Sequence, residues 1–198
     1  MADVRISSML FAFLLTAVSA DDNDVVQNST VDVVKFLQQS PKLWVYNTTE
    51  PGNIKCRLDF YTTITDNQTS FSRSYLNSTR KEEKKLTGKF FVYEGGNKPA
   101  PGKYDAIEIK DDTTTEYPLS EEVFEFQSDD ETCAIVAVLD NSSGITKTWL
   151  DLRVSSTAIE SQKGKKCAER FEEILKIYHE RDRKWRISYD SDCKTEQS

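Results

Sequence analysis

Four cysteines are the residues of this sequence whose chemistry is easiest to predict. Their number is even, and no two of them have the Cys-x-x-Cys spacing of a zinc or redox motif. Because His179 is the only histidine, the mixed ligands of a typical zinc site are missing as well. We therefore predict no metal site and two disulfide bonds, which form in an oxidising compartment. The cysteines are Cys56, Cys133, Cys167 and Cys193.

Five asparagines point to the same compartment, because each begins an Asn-x-Ser/Thr sequence without proline at x. Such a sequence is the acceptor for N-linked glycosylation, and a glycan cannot be buried. We therefore predict a glycoprotein in which each acceptor lies on an exposed turn or strand end. The acceptors are Asn28, Asn47, Asn67, Asn77 and Asn141.

Catalytic motifs are missing from the sequence, which has no Gly-x-Ser-x-Gly turn, phosphate-binding loop or His-Glu-x-x-His pair. A catalytic triad would depend on His179, which lies in the charged segment 178–182 and is expected in solvent. The chain is therefore predicted not to be an enzyme and to need no cofactor. Its net charge of -7 also disfavours nucleic acid as a partner, since phosphates repel an acidic protein.

The first 20 residues have the pattern of a secretory signal peptide. Arg5 precedes the short apolar run 9–15 (MLFAFLL), and the small residues 18–20 (VSA) fit a cleavage site. The apolar run is too short to serve as a membrane anchor. We therefore predict a signal peptide over residues 1–20 and a secreted, extracellular protein with a single domain over residues 21–198.

Alternation with a period of two predicts strands along most of the chain. In residues 54–64, Ile54, Cys56, Leu58 and Phe60 alternate with polar residues, which is the clearest such pattern. Turn-forming residues separate the other predicted strands. Many short strands in this arrangement favour an antiparallel barrel or sandwich. The predicted strands are 43–46, 54–64, 70–76, 86–93, 104–109, 122–126, 133–139 and 149–154.

Two helices are predicted outside this series of strands. A short one precedes the first strand, with Thr30 as its cap and Pro41 after its end. A long one runs from about residue 165 to 181, where Cys167, Phe171 and Ile174 begin an apolar stripe. The tail after it alternates like a strand up to Cys193.

This order of elements resembles the lipocalins and, within them, the tick histamine-binding family. The resemblance rests on the helix leading into residues 43–49 (LWVYNTT), a cysteine in the next strand, and the acidic turn in residues 128–136 (SDDETCAIV). It continues in residues 167–171 (CAERF) and the late cysteine. It implies an all-β, eight-stranded antiparallel up-and-down barrel with both helices packed outside. It also implies the pairs Cys56–Cys193 and Cys133–Cys167.

The sequence departs from the pattern of the amine-binding members. Where they carry an aspartate after the late-strand cysteine, this chain has Ala134, and residues 148–151 (TWLD) lack the usual glutamate. The acidic and aromatic segment before the first cysteine is shortened to residues 50–53 (EPGN). Because a buried ammonium requires a carboxylate, amine binding is not simply inherited.

The implied disulfides suggest which side chains face the pocket. If Cys133 bonds to an outer helix, then Ala134 and Val136 face inward, and the same argument directs Arg57, Asp59 and Tyr61 inward. The alternative is that Cys56 lies near a rim and Leu58 and Phe60 form the core face. The complete set of candidate pocket residues is Trp44, Arg57, Asp59, Tyr61, Phe91, Tyr93, Tyr104, Phe124, Phe126, Ala134, Val136 and Trp149.

The resemblance implies a monomeric salivary protein that sequesters a small host mediator and so helps to evade host defence. Histamine or serotonin is the default ligand, and the departures favour an apolar or amphipathic one such as a leukotriene, fatty acid or sterol. Asp59 is the candidate partner for an amine, and Arg57 for a carboxylate. The alternative function is a scaffold that binds a host immune protein through its outer loops.

Overall fold

The computed structural model describes residues 31–94, 99–111, 117–159, 161–177 and 184–196. The predicted signal peptide, Asn28, Thr30 and His179 lie outside these residues. The strands are β1 (Lys42–Thr48), β2 (Ile54–Ile64), β3 (Gln68–Asn77), β4 (Arg80–Phe91), β5 (Ala106–Asp111), β6 (Ser120–Gln127), β7 (Cys133–Asp140), β8 (Lys147–Ser155) and β9 (Arg186–Ile187). The helices are α1 (Val33–Gln39), α2 (Gln162–Ile177) and α3 (Cys193–Glu196).

The first eight strands form a closed antiparallel barrel in which each pairs with its neighbours in sequence. β1 closes it, because Trp44 pairs with Leu58 of β2 on one side and with Val154 of β8 on the other. β9 then adds to β1 outside the closed circle, with Asn47 opposite Ile187. The predicted up-and-down barrel is therefore confirmed, and all eight predicted strands are present.

Period-two alternation divides the buried side chains into an inner and an outer cluster. The inner cluster lines the lumen of the barrel and includes Val33, Phe36, Leu37, Leu43, Tyr61, Phe71, Leu86, Phe90, Ile107, Ile109, Phe124, Ala134, Val136, Val138 and Trp149. The outer cluster lies beneath α2 and the tail and includes Trp44, Cys56, Cys133, Ile135, Leu150, Leu152, Val154, Cys167, Phe171, Ile174, Leu175, Tyr189 and Cys193. The barrel is thus apolar on both sides of β7.

The short helix α1 covers one end of the lumen. Its cap is Asp32 rather than the predicted Thr30, since the Asp32 carboxylate accepts a hydrogen bond from the Lys35 amide at 3.2 Å. Phe36 is completely buried and meets Phe124 edge to face, with ring centroids 5.9 Å apart. α1 therefore contributes side chains to the inner cluster and is not only an external addition.

The longer helix α2 packs on the outside of the barrel, as predicted. It begins at Gln162, earlier than the predicted residue 165, and residues 178–181 of the prediction lie outside the described part. Its apolar stripe is buried, with Phe171 wholly inaccessible. The structure forms the Cys133–Cys167 bond between β7 and α2, and the Cys56–Cys193 bond between β2 and the tail. These are the pairs that the family resemblance implies.

Two element ends differ from their predictions for reasons visible in the burial pattern. β4 begins at Arg80 instead of residue 86, because its first half is exposed and carries lysines and glutamates that show no apolar alternation. The tail forms only the two-residue strand β9 before turning into α3, so most of its predicted strand is wrong. No helix in the described residues is long and apolar enough to cross a membrane.

The predicted glycan acceptors differ in accessibility. Asn67 and Asn77 are exposed at the two ends of β3, and Asn141 is half-buried after β7. Asn47 contradicts the expectation of exposure, because it is only 2% exposed between β8 and β9. The strand pairing that closes the barrel therefore covers this acceptor.

We predict that secretion from a eukaryotic host yields glycans on Asn67 and Asn77 and none on Asn47. The physical reason is that a chain with a glycan on Asn47 could not pair β9 with β1 and would not reach this folded structure. Glycopeptide mass spectrometry after N-glycosidase treatment in heavy-oxygen water measures the occupancy of each site. A folded, oxidised protein with a fully occupied Asn47 would contradict the placement of β9.

Candidate functional site

The polar face of β2 is the first part of the candidate site. Arg57, Asp59 and Tyr61 are all buried, at 6%, 1% and 3% exposure, and Tyr61 belongs to the inner cluster. Leu58 instead packs against the outer cluster, and Phe60 is 39% exposed. The structure therefore favours the inward orientation of the charged residues over the alternative with Leu58 and Phe60 as the core face.

Asp59 is part of an ion cluster that crosses the lumen, which we call the first ion cluster: Asp59, Arg73, Glu122 and Arg153. Arg73 donates two hydrogen bonds of 2.7 Å to Asp59 and one of 2.8 Å to Glu122. Arg153 reaches Glu122 at 2.5 Å and Asp59 at 3.5 Å. Since β2 and β6 are separated by three strands in either direction, Asp59 and Glu122 are joined across the full width of the barrel.

A second ion cluster continues from the first toward the end of the barrel opposite α1. It consists of Glu50, Arg57, Asp151 and Arg186. Arg57 lies 3.3 Å from Asp151 and 2.6 Å from Glu50, and Arg186 lies 3.6 Å from Glu50. Asp151 also accepts a hydrogen bond of 2.6 Å from Thr48, and it lies 3.6 Å from Nη2 of Arg153. The two clusters therefore form one continuous series of alternating charges.

The electrostatics of the first ion cluster keep Glu122, Arg73 and Arg153 charged. Burial alone raises the pKa of Glu122, but Arg153 and Arg73 outweigh that effect and lower the pKa to about 2. Burial opposes the charge of Arg73 and Arg153 too, yet the neighbouring carboxylates raise the pKa of both guanidinium groups above the ordinary value. For Tyr61, burial followed by the nearby Asp59 raises the phenol pKa, so its hydroxyl stays protonated.

Several buried polar atoms of the lumen have no hydrogen-bond partner within the described part of the protein. They are the Tyr61 hydroxyl, Nε1 of Trp149, and Nε and Nη2 of Arg153. Leaving a buried polar group unpaired costs about 1 to 3 kcal/mol. A lumen wall that keeps several such groups is typical of a binding site, in which a ligand supplies the missing partners.

The structure brings most of the candidate pocket residues together. Tyr61, Phe124, Ala134, Val136 and Trp149 belong to the inner cluster, and Tyr104 packs against it while stacking on Phe90. Arg57 and Asp59 lie in the two ion clusters. Whether these residues contact a ligand stays a prediction.

Four candidate residues are not in the lumen wall. Trp44 belongs to the outer cluster, where it meets Tyr189 edge to face at 5.1 Å. Phe126 packs against the same cluster beneath Arg170, because a bulge between Phe124 and Phe126 interrupts the alternation of β6. Phe91 and Tyr93 are half-buried and belong to neither cluster among the described residues, since Phe90 takes the inward position of β4.

Four charged residues of the lumen are absent from the set predicted from the sequence, namely Arg73, Glu122, Asp151 and Arg153. A usable signal was present in β6 and β8. Starting from the inward Trp149, a period of two leads to Asp151 and then Arg153, and starting from Phe124 it leads back to Glu122. Because buried charges are rare in a core, charged residues are not expected at inward positions.

A cavity of about 310 Å³ lies beside α1 and is separate from the two ion clusters. It is lined by Asp32, Lys35, Ala100, Lys103, Gln127, Ser128, Asp129 and Glu131. Its two buried carboxylates already form ion pairs within the protein. Lys103 lies 2.5 Å from Asp32, and Lys35 lies 2.5 Å from Glu131. Gln127 also donates to Glu131. The lumen, which has unpaired donors, is therefore the stronger candidate.

A closed eight-stranded antiparallel barrel with a helix across one end and a helix on its flank is the lipocalin fold. The sequence profile of the tick histamine binding protein family matches residues 21–195, and the chain therefore belongs to that family. Members of this family are binding proteins. No curated protein matches the sequence significantly.

Solved structures agree on the fold. Insecticyanin from the tobacco hornworm Manduca sexta superimposes with a TM-score of 0.54 and 13% identity, over 82% of this chain and 82% of that chain. The siderocalin Ex-FABP, described as having dual ligand specificities, superimposes with a TM-score of 0.52 and 9% identity, over 77% of this chain and 91% of that chain. At this identity, the likeness concerns the fold alone.

Proposed function

We propose that this chain is a secreted salivary lipocalin that sequesters a small host mediator in its lumen and so contributes to evasion of host defence. Membership of the tick histamine-binding family supports a small ligand. The observation that carries the proposal is the set of buried lumen donors without partners on Tyr61, Trp149 and Arg153. Two disulfides support an extracellular location.

The ion clusters bear on the class of mediator. The lumen does contain carboxylates, those of Asp59, Glu122 and Asp151, although the family's usual anchors are absent. Each of them already has an arginine within 3.6 Å. A ligand ammonium would therefore compete with a guanidinium that is permanently charged. This arrangement supports an apolar or amphipathic ligand in place of histamine or serotonin.

We predict that histamine and serotonin bind weakly or not at all, and that an uncharged sterol binds more tightly. A buried ion pair that lacks one partner costs about 3 to 5 kcal/mol, which weakens binding by roughly two to three orders of magnitude. Calorimetric titration of the folded, oxidised protein with all three compounds measures the difference. Nanomolar histamine binding that Asp59→Asn abolishes would contradict the prediction and identify Asp59 as an amine anchor.

A second candidate function is a scaffold that binds a host protein through loops at the end opposite α1. The observation in its favour is that Tyr117 and Ile145 are 73% and 75% exposed there, in loops joined by the Asn141 amide and the Leu119 carbonyl at 2.8 Å. A serum pull-down with Tyr117→Ser and Ile145→Ser as the matched control tests it. Specific capture of a protein by natural chains whose lumen is empty in native mass spectrometry would favour the scaffold.

A further inference from the structure

We infer that the lumen selects an uncharged, largely apolar ligand that carries hydrogen-bond acceptor oxygens, as an ester, ketone or sterol does. This inference deepens the proposed function, since it concerns the ligand class of the same lumen. It separates uncharged molecules from the free carboxylic acids and amines that share their carbon skeletons. Three features carry it: the charge balance of the ion clusters, the type of the unpaired atoms, and the apolar wall.

The first feature is that the two ion clusters are balanced. They contain four arginines and four carboxylates, and each carboxylate lies within 3.6 Å of at least one arginine. Seven of the eight side chains are at most 13% exposed, so solvent screens them little, and only Arg186 reaches 25%. A ligand ammonium or carboxylate would add one unbalanced charge to this interior. An unbalanced buried charge is costly, whereas an uncharged ligand leaves the balance intact.

The second feature is that the unpaired lumen atoms are donors. Nε1 of Trp149 and Nε of Arg153 can only donate, and the Tyr61 hydroxyl can donate as well. Nη2 of Arg153 also makes no hydrogen bond to the described residues, although it lies 3.6 Å from Asp151. Their natural complement is an acceptor oxygen, which a carbonyl, ester or hydroxyl group provides without a charge. An ammonium carries donors only, so it would leave all of these groups unpaired.

The position of these donors further describes the ligand. Trp149 and Arg153 are two inward positions apart on β8, with Asp151 between them, so their Cα atoms are separated by roughly 13 Å. Donors at separate positions along one strand suit acceptor oxygens distributed over an extended body. They suit a single charged head group less well.

The third feature is the wall that surrounds the donors. Its largest buried members are Phe71, Leu86, Phe90, Ile107 and Ile109, none more than 3% exposed. Because these side chains are already buried, the gain comes from the ligand, whose own apolar surface leaves water and stabilises binding by about 25 cal/mol per Å². The lumen therefore combines an apolar wall with a few hydrogen-bond donors. We expect the ligand to combine an apolar body with a few acceptor oxygens.

The test compares three compounds with one skeleton: palmitic acid, methyl palmitate and hexadecylamine, with progesterone as a rigid molecule that carries two ketones. Displacement of a fluorescent lipid probe, checked by native mass spectrometry, measures each affinity for the oxidised protein. We expect the ester to bind at least about tenfold more tightly than the acid or the amine, and progesterone to compete. Equal affinities, or tighter binding of the acid or the amine, would overturn the inference while leaving a small-ligand lipocalin in place. Binding of none of the four would overturn the proposed function as well.

Two kinds of substitution test separately how the donors and the charges affect ligand affinity. Tyr61→Phe and Trp149→Phe keep the ring and remove one donor, so each should weaken ester binding about three- to tenfold. Tyr75→Phe is the matched control, because the Tyr75 hydroxyl already donates to Glu82 at 2.9 Å, and it should leave the affinity unchanged. Glu122→Gln gives the lumen one excess positive charge and should shift the preference to palmitic acid. If that folded variant still prefers the ester to the same extent, charge balance does not determine the selection.

Discussion

Replacing Arg153 by methionine lowers the free energy of unfolding by about 3 to 5 kcal/mol. Arg153 is completely buried and holds Glu122 at 2.5 Å and Asp59 at 3.5 Å. Without it, two buried carboxylates share Arg73, and one negative charge in the lumen is unbalanced. Urea unfolding followed by tryptophan fluorescence measures the loss, with the slope compared to ensure that both proteins unfold in the same way.

The double variant Arg153→Met/Glu122→Gln is the matched control for this prediction. It removes one charge of each sign and leaves the Asp59–Arg73 pair intact, so we expect it to recover most of the lost stability. An equal loss in the single and the double variant would mean that packing, and not charge, accounts for the effect.

Acid provides an independent check on the same residues. The folded-state pKa of Glu122 is about 2, below its ordinary value of 4.5, so its contribution is fully present above about pH 4.5 and is lost as the pH falls toward 2. That contribution is on the order of 3 kcal/mol. The stability difference between the natural protein and Arg153→Met should therefore shrink across this acid range. A difference that stays constant down to pH 2 would show that Glu122 is not its source.

Removing the Cys56–Cys193 bond by Cys56→Ala/Cys193→Ala costs about 5 kcal/mol, and removing Cys133–Cys167 in the same way costs about 4 kcal/mol. These values follow from the loop-closure entropy of 137 and 34 residues in the unfolded chain. Both pairs are buried in the outer cluster, so alanine avoids leaving a buried hydroxyl without a partner. Chemical denaturation of the two double variants measures the losses.

The two losses of unfolding free energy show whether a disulfide stabilises the protein through loop-closure entropy or by holding neighbouring elements together in the folded state. If stabilisation comes from constraining the unfolded chain, the bond with the longer loop contributes more. A larger loss on removing Cys133–Cys167 would instead indicate that the attachment of α2 to β7 is what the disulfide supplies. Mild reduction of the natural protein, with the order of bond opening followed by mass spectrometry, is the control without substitutions.

The barrel could be predicted from the sequence because its strands alternate and turn residues separate them. Alternation gives the wrong side-chain orientation where a β-bulge interrupts a strand. β6 carries a bulge between Phe124 and Phe126, and β1 carries one between Val45 and Asn47. One inserted residue reverses the orientation of every side chain after it, and neither bulge is marked by a glycine or proline. For this reason alternation predicts the wrong environment for Phe126, whereas Asn47 is buried because β8 and β9 pair with β1 on either side of it.

The candidate site was predictable on one strand only. The strong alternation of β2 and the family's disulfide pattern together suggested that Arg57, Asp59 and Tyr61 face inward. Whether an arginine of β3 meets a carboxylate of β6 depends on the width of the barrel and the register of strands far apart in sequence, which local patterns do not encode. The pairing of the charges therefore required the three-dimensional structure.

The closure of the barrel through β1 also determines when the protein can fold. β1 is the first strand to be synthesised, yet it pairs with β8. The backbone of Leu43 therefore has no strand partner on that side until Ser155 has been synthesised. Until then β1 offers an unpaired edge, and the ion clusters, which join β2 and β3 to β6 and β8, are incomplete. Such long-range pairing makes folding slow and exposes the chain to association during synthesis. Barrel closure, balancing of the lumen charges and covering of Asn47 are consequently late events of folding that occur together.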